Sequence, residues 1–122
     1  MDKPSVTIIV LNWNGKDLTI DCINSLKKVN YSNFNILLVD NGSSDGSVEL
    51  LKEKFPEVSI LSLGKNFGFA GGNNRGFVSL KPDPPEFVIF LNNDTTVDSN
   101  FIEPLVKCLL NNKHASQTVP KI

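Results

Sequence analysis

Four stretches of this chain read as buried strands and four as amphipathic helices, in strict alternation. Ser5–Leu11 is β-branched and almost continuously apolar, the pattern of a strand covered on both faces, as in parallel sheets. Phe34–Val39 and Phe87–Leu91 have the same character, and Val58–Leu63 is a weaker, partly alternating version. Between them the apolar spacing turns helical. Leu18, Ile20, Cys22, Ile23, Leu26 and Val29 predict a helix from about Lys16 to Lys28, and Val48, Leu50, Leu51 and Phe55 predict a second, stopped by Pro56. Ala70–Leu80 forms the third, closed by Pro82-Asp83-Pro84-Pro85. Phe101–Leu110 forms the fourth, with Asn100 and Glu103 spaced for an N-terminal capping box. Connections this short demand right-handed crossovers. The expectation is an α/β fold: an open, mostly parallel, Rossmann-like sheet with helices on both faces.

Composition narrows the function. The 122 residues suit one domain, 1–122, with 40% hydrophobic and 20% charged residues, an ordinary globular balance. The formal charge is −1 and there is no basic stripe, which argues against nucleic-acid binding. Two cysteines, Cys22 and Cys108, without a C-x-x-C and with a single histidine, exclude a Cys/His zinc site. That histidine, His114, sits in Asn-Asn-Lys-His and reads as a solvated helix end rather than the base of a nucleophilic dyad. No apolar run approaches the roughly 20 residues that span a bilayer. Met1-Asp2-Lys3-Pro4 leads straight into a strand, with no signal-peptide pattern. A reducing, cytoplasmic setting is expected. His114–Ile122 reads as the approach to a further strand, so the domain is expected to be truncated at its carboxyl end. A dimer through the edge so uncovered, near Phe87–Leu91, is the matching expectation.

In open α/β sheets, ligands bind beyond the carboxyl ends of the strands, at a topological switch point. Here those ends read Asn12-Trp13-Asn14-Gly15, Asp40-Asn41-Gly42-Ser43-Ser44-Asp45-Gly46, Gly64 to Asn74, and Asn92-Asn93-Asp94-Thr95-Thr96. All four are polar and rich in short side chains. Asn and Gly after a strand are also turn formers, and Ser44 or Asp45 is expected to cap the second helix. Asp40 differs, because the turn after Leu37-Leu38-Val39 needs no carboxylate. Asp94, beside two amides, offers hard oxygens suited to Mg²⁺ or Mn²⁺. The first turn lacks the G-x-G-x-x-G of a dinucleotide site, and no G-x-x-x-x-G-K-[ST] exists for a P-loop. Gly71, Gly72 and Gly76 fit a helix start pressed against a ligand or a neighbouring strand. Arg75, on the same helix, is expected to be solvated.

Together, Val6–Asn14, Leu38–Asp45, Asn66–Gly76 and Phe90–Thr95 resemble the nucleotide-binding part of family 2 glycosyltransferases with the GT-A fold, in the branch containing rhamnosyltransferases. Each motif is weak singly; four in family order and spacing are specific. The resemblance implies that Asp40 accepts the N3–H of a pyrimidine base and that Asn12 and Asn14 line the base and ribose pocket. It implies that Asp94, third in the family's D-x-D, binds a divalent cation, Mn²⁺ or Mg²⁺, bridging the diphosphate. The candidate nucleotide-binding set is Asn12, Asn14, Asp40, Asn41, Asn66, Gly71, Gly72, Asn74, Asn92 and Asn93, with Asp94 as the metal ligand. Asn92 departs from the family, standing where the first Asp of D-x-D is usual, and Asn73 stands where many members carry Arg.

The implied activity is transfer of a sugar from a UDP- or dTDP-linked donor to a glycan or lipid-linked acceptor, with inversion. It implies work at the inner face of the membrane in the full-length protein. The family's acceptor base is an Asp or Glu well beyond the D-x-D. Asp98 and Glu103 lie too close, so no catalytic residue is assigned and the base is expected beyond Ile122. A nucleotidyltransferase-like enzyme is the alternative, but the first strand end lacks its Gly-rich, Lys/Arg-bearing loop. A non-catalytic nucleotide-binding or interaction domain of receiver type would want clustered acids there, and the chain has amides.

Overall fold

The computed structural model describes residues 3–111; the expectations for His114 and for a strand approached over 114–122 lie outside them. The elements alternate as β1 (Val6–Asn12), α1 (Lys16–Leu26), β2 (Phe34–Asp40), α2 (Ser47–Lys54), β3 (Ser59–Ser62), α3 (Gly68–Ser79), β4 (Phe87–Asn92) and α4 (Ile102–Asn111). The four strands are parallel in the order β3-β2-β1-β4.

This order and the handedness of crossovers fix the layers. The chain steps from β1 to β2 to β3 in one direction, then returns past both to β4. A right-handed crossover on the return must run over the opposite face. The packing follows. Val6, Ile8, Val10, Leu38, Ile89 and Leu91 meet Cys22, Ile23 and Leu26 of α1, Leu51 of α2 and Ile102 and Val106 of α4 in the main core. The alternate positions Ile9, Leu37 and Val39, flanked by Leu11 and Phe90, form the second cluster, on the face that α3 covers. Two covered faces explain the near-continuous apolar runs of the central strands. The expected fold is the observed one.

α3 comes close because two of its residues lack a Cβ. One at Gly76 would lie 2.6 Å from Val39 Cγ2, and one at Gly72 would lie 2.6 Å from Leu11 Cδ1. Helix starts differ in detail from expectation. The capping box of Asn100 and Glu103 does not form, since Glu103 pairs with Lys3 at 3.0 Å and Asn100 accepts from Asn30 Nδ2 at 2.9 Å. Asp45, not Ser44, serves α2: its Oδ1 accepts the Ser47 N–H at 3.0 Å and the Ser47 hydroxyl, which holds the Asp45 carboxyl below its usual range.

Candidate functional site

β1 is the strand at which the order reverses, and ligands of open α/β sheets bind beyond the carboxyl ends at such a point; β1 and β4 stay paired up to Leu11 and Asn92. A cavity of about 290 Å³ lies there, lined by Leu11 and Trp13 from the end of β1, Phe69 from the start of α3, and Asn92, Asn93 and Asp94 from the end of β4. Trp13 and Phe69 are 54% and 64% exposed, leaving two aromatic surfaces at one polar crevice. Among the described residues Asp94 is the one carboxylate in its lining.

Behind the crevice runs a continuous hydrogen-bond network. Asn12 Nδ2 donates to Asp40 Oδ1 at 2.8 Å and to Ser43 Oγ at 3.2 Å. Ser43 donates from its hydroxyl to Asp40 Oδ1 (2.7 Å) and from its backbone N–H to Oδ2 (2.9 Å). Thr19 Oγ1 donates to Asn12 Oδ1 at 2.7 Å and accepts from Asn93 Nδ2 at 3.1 Å. Asn14, in the left-handed region at φ 49°, accepts the Ser44 N–H at 2.7 Å and donates its own N–H to Ser43 Oγ at 2.9 Å. The loops after β1 and β2 are therefore laced together. Among the described residues no buried side-chain polar atom is left without a partner.

This geometry shows what the expected site residues are bonded to. Asp40 is 1% exposed and its two oxygens accept three hydrogen bonds. It organises the loop after β2, behind the crevice. Asn12, 0% exposed, is likewise a buried anchor. Asn41 is buried and turned to α3, where Oδ1 accepts the Phe67 N–H (2.9 Å) and Nδ2 donates to the Gly68 carbonyl (3.0 Å). Asn66 accepts the Gly68 N–H at 2.7 Å and so serves the start of α3. Gly72 is a packing residue against Leu11 and Asn41, and Gly71 sits against the Phe67 Cβ. Asn74 is exposed, two helical positions (about 200°) from Gly72, so it leaves the side that meets the sheet. Asn92, Asn93 and Asp94 do reach the crevice together. Arg75 is exposed as expected and lies on the Phe67 ring, 3.6 Å from its centroid. Trp13 and Phe69 lie in the matched stretches Val6–Asn14 and Asn66–Gly76 but were given no role of their own, and Thr19 lies in none of the four. An indole straight after an apolar strand, where a turn wants small polar residues, was the one available signal.

Among the described residues Asp94 is the charged member of the crevice lining. It is exposed and forms no ion pair among the described residues. Burial first, and the Asp94 charge second, push the nearby Cys22 thiol up to about 12, so it stays protonated and is no nucleophile. Among the described residues no three His, Cys, Asp or Glu side chains gather into a metal cage. A lone carboxylate beside amide oxygens nevertheless suits Mg²⁺-like cations, which are held by one or two carboxylates and complete their shell with water and phosphate.

Comparison with known proteins agrees with this architecture. The model of Glycosyl transferase family 2 matches residues 7–122. Glycosyltransferase GlyA of Streptococcus pneumoniae is 30% identical over 105 residues, 84% of this chain and 14% of GlyA. Among solved structures, S. aureus TarS 1-349 in complex with UDP superposes with a TM-score of 0.73 at 21% identity, covering 89% of this chain and 33% of that fragment. The mannosyltransferase PcManGT from Pyrobaculum calidifontis, in complex with GDP-Man and Mn²⁺, gives 0.73 at 22% identity, covering 88% of this chain and 33% of that one. The chain thus spans between a seventh and a third of the length of these proteins.

Proposed function

This chain belongs to glycosyl transferase family 2, and we propose that it supplies the donor-binding part of an enzyme that moves a sugar from a nucleoside diphosphate to a glycan or lipid-linked acceptor. The carrying observation is the crevice at the switch point, where the Asp94 carboxylate, in no ion pair among the described residues, meets two open aromatic surfaces. The diphosphate-linked ligands bound by TarS and PcManGT, on the same fold, support the reading.

Each residue of the crevice has a part. Trp13 and Phe69 offer apolar faces to the flat or ring-shaped parts of the donor, the base and the sugar. Asn92 and Asn93 supply amide donors and acceptors to hydroxyls. Asp94 and a diphosphate are both negative and repel unless a cation lies between them. A divalent cation of the Mn²⁺ or Mg²⁺ kind, held by Asp94 and the phosphates, would offset the charge that builds on the departing nucleoside diphosphate. In inversion, the anomeric carbon loses its bond to phosphate oxygen as it gains one to the acceptor hydroxyl, from the opposite side. The proton of that hydroxyl needs a base. Glu103 is held by Lys3 at 3.0 Å, and we assign that role to no residue of 3–111.

A thermal-shift panel of UDP, dTDP, GDP and CTP, each with and without Mn²⁺, tests the proposal. A nucleoside diphosphate at a hundredfold excess over its Kd stabilises the fold by about 2.7 kcal/mol. If none of the four stabilises the chain, it does not bind donors.

A further inference from the structure

Asp94 makes no side-chain hydrogen bond among the described residues, so its place in the crevice depends on its neighbours. One of these is tied down. Asn93 Nδ2 donates at 3.1 Å to the hydroxyl of Thr19, a residue 74 positions away in sequence, on the first turns of α1. The same hydroxyl donates at 2.7 Å to Asn12 Oδ1. Thr19 is 0% exposed, and Asn12 continues the chain of bonds to Asp40 and Ser43. A single oxygen thus joins Asn12 and Asn93, the residues just beyond the last paired position, Leu11 and Asn92, of β1 and β4. The start of α1 is also shaped around the Asn93 amide: a Cβ at Gly15 would lie 2.7 Å from Asn93 Nδ2. The backbone closes the other side, with the Thr95 N–H donating to the Asn92 carbonyl at 3.1 Å in a tight turn.

We propose that Thr19 is a positioning residue, which clamps the Asn92-Asn93-Asp94 turn to the end of β1 and so fixes where Asp94 meets the donor's diphosphate. This rests on the donor-binding reading of the crevice. The chemistry requires a hydroxyl, because the group must donate to an amide oxygen on one side and accept from an amide nitrogen on the other. Serine keeps both functions. Valine has nearly the same shape and can do neither.

The test compares Thr19→Val with Thr19→Ser. In ¹⁵N-labelled protein without ligand, Thr19→Val shifts the Asn93 side-chain amide and the Asp94 backbone amide, and Thr19→Ser leaves both near their parent positions. With UDP and MnCl₂, Thr19→Val raises the Mn²⁺ concentration for half-maximal tightening by about fivefold, the worth of a hydrogen bond, whereas Thr19→Ser stays close to parent. Gly15→Ala, which keeps the hydroxyl but pushes on the same amide, moves the same resonances and guards against a Thr19→Val protein that fails to fold. A Thr19→Val protein that only melts earlier, with resonances and Mn²⁺ response unchanged, overturns the clamp. If the parent's UDP binding ignores Mn²⁺, the metal reading fails instead, and the ligand-free resonances still decide the clamp.

Discussion

Asn12 and Asp40 face each other at the last paired position of the parallel strands β1 and β2, where Asn12 Nδ2 donates to Asp40 Oδ1 at 2.8 Å. Both side chains are buried, and the carboxylate stays satisfied because Ser43 adds two further donors. A polar pair at the carboxyl edge of an otherwise apolar sheet fixes how the two loops leave it. Backbone and side-chain bonds from Ser43 and Ser44 to Asn14 extend that order to the rim.

Asp40→Asn therefore acts on stability. It puts an NH₂ where an acceptor received hydrogen bonds, and at least one buried donor loses its partner. The expected cost is about 1–3 kcal/mol. Urea unfolding of the two proteins measures it. Equal midpoints would show that the network contributes nothing.

The glycines of α3 make opposite predictions. In a solvated helix, Gly→Ala gains roughly 1 kcal/mol. At Gly76 the new methyl meets Val39 Cγ2 at 2.6 Å, a stiff β-branched side chain with 0% exposure, so the substitution destabilises by about 1–3 kcal/mol. At Gly72 the nearest atom, at 2.6 Å, is the free end of the partly exposed Leu11, which can turn aside. Gly72→Ala is then far milder. Thermal melts of the pair should separate them, and a reversed order would contradict the packing described.

The contrast shows what could be read from the sequence. Apolar runs and helical spacing carried the whole element order, because the central strands are covered on both sides and the helices on one. Asn93 and Asp94 were legible as a polar cluster at a strand end, and the structure places both in the crevice lining. Asp40 was legible as a carboxylate that a turn does not need, but its sequence neighbours do not reveal that Asn12 and Ser43 hydrogen-bond its oxygens. Gly72 fitted a close approach to a ligand or to a neighbouring strand: whether a missing Cβ makes room for a ligand or for Leu11 depends on which side of the helix meets the sheet. Thr19 was invisible. Its two partners lie 7 and 74 residues away, and only the sheet order brings them together.

The two cysteines should differ sharply. Cys108 is exposed on α4, whereas Cys22 is buried and its thiol pushed up to about 12. In the native protein at neutral pH, a disulfide reagent modifies Cys108, and Cys22 reacts only on unfolding. The folded thiol has the higher pKa, so the unfolded state loses its proton first. This thiol leaves stability unchanged below pH 9 and reduces it as pH rises from 9 towards 12, relative to Cys22→Ala. Fast modification of both thiols in native protein would contradict the buried placement.

The most direct test of donor binding is calorimetric titration of UDP into the parent chain and into Asp94→Ala, each with and without Mn²⁺, with uridine as control. Asp94 is exposed and its side chain bonds no other group among the described residues, so its removal should leave the fold intact. The account predicts that Mn²⁺ tightens UDP binding to the parent by about tenfold or more, roughly 1.4 kcal/mol. In Asp94→Ala that gain vanishes, while uridine binds both proteins alike. An equal Mn²⁺ effect in the two proteins, or UDP binding that ignores the metal in both, would contradict it.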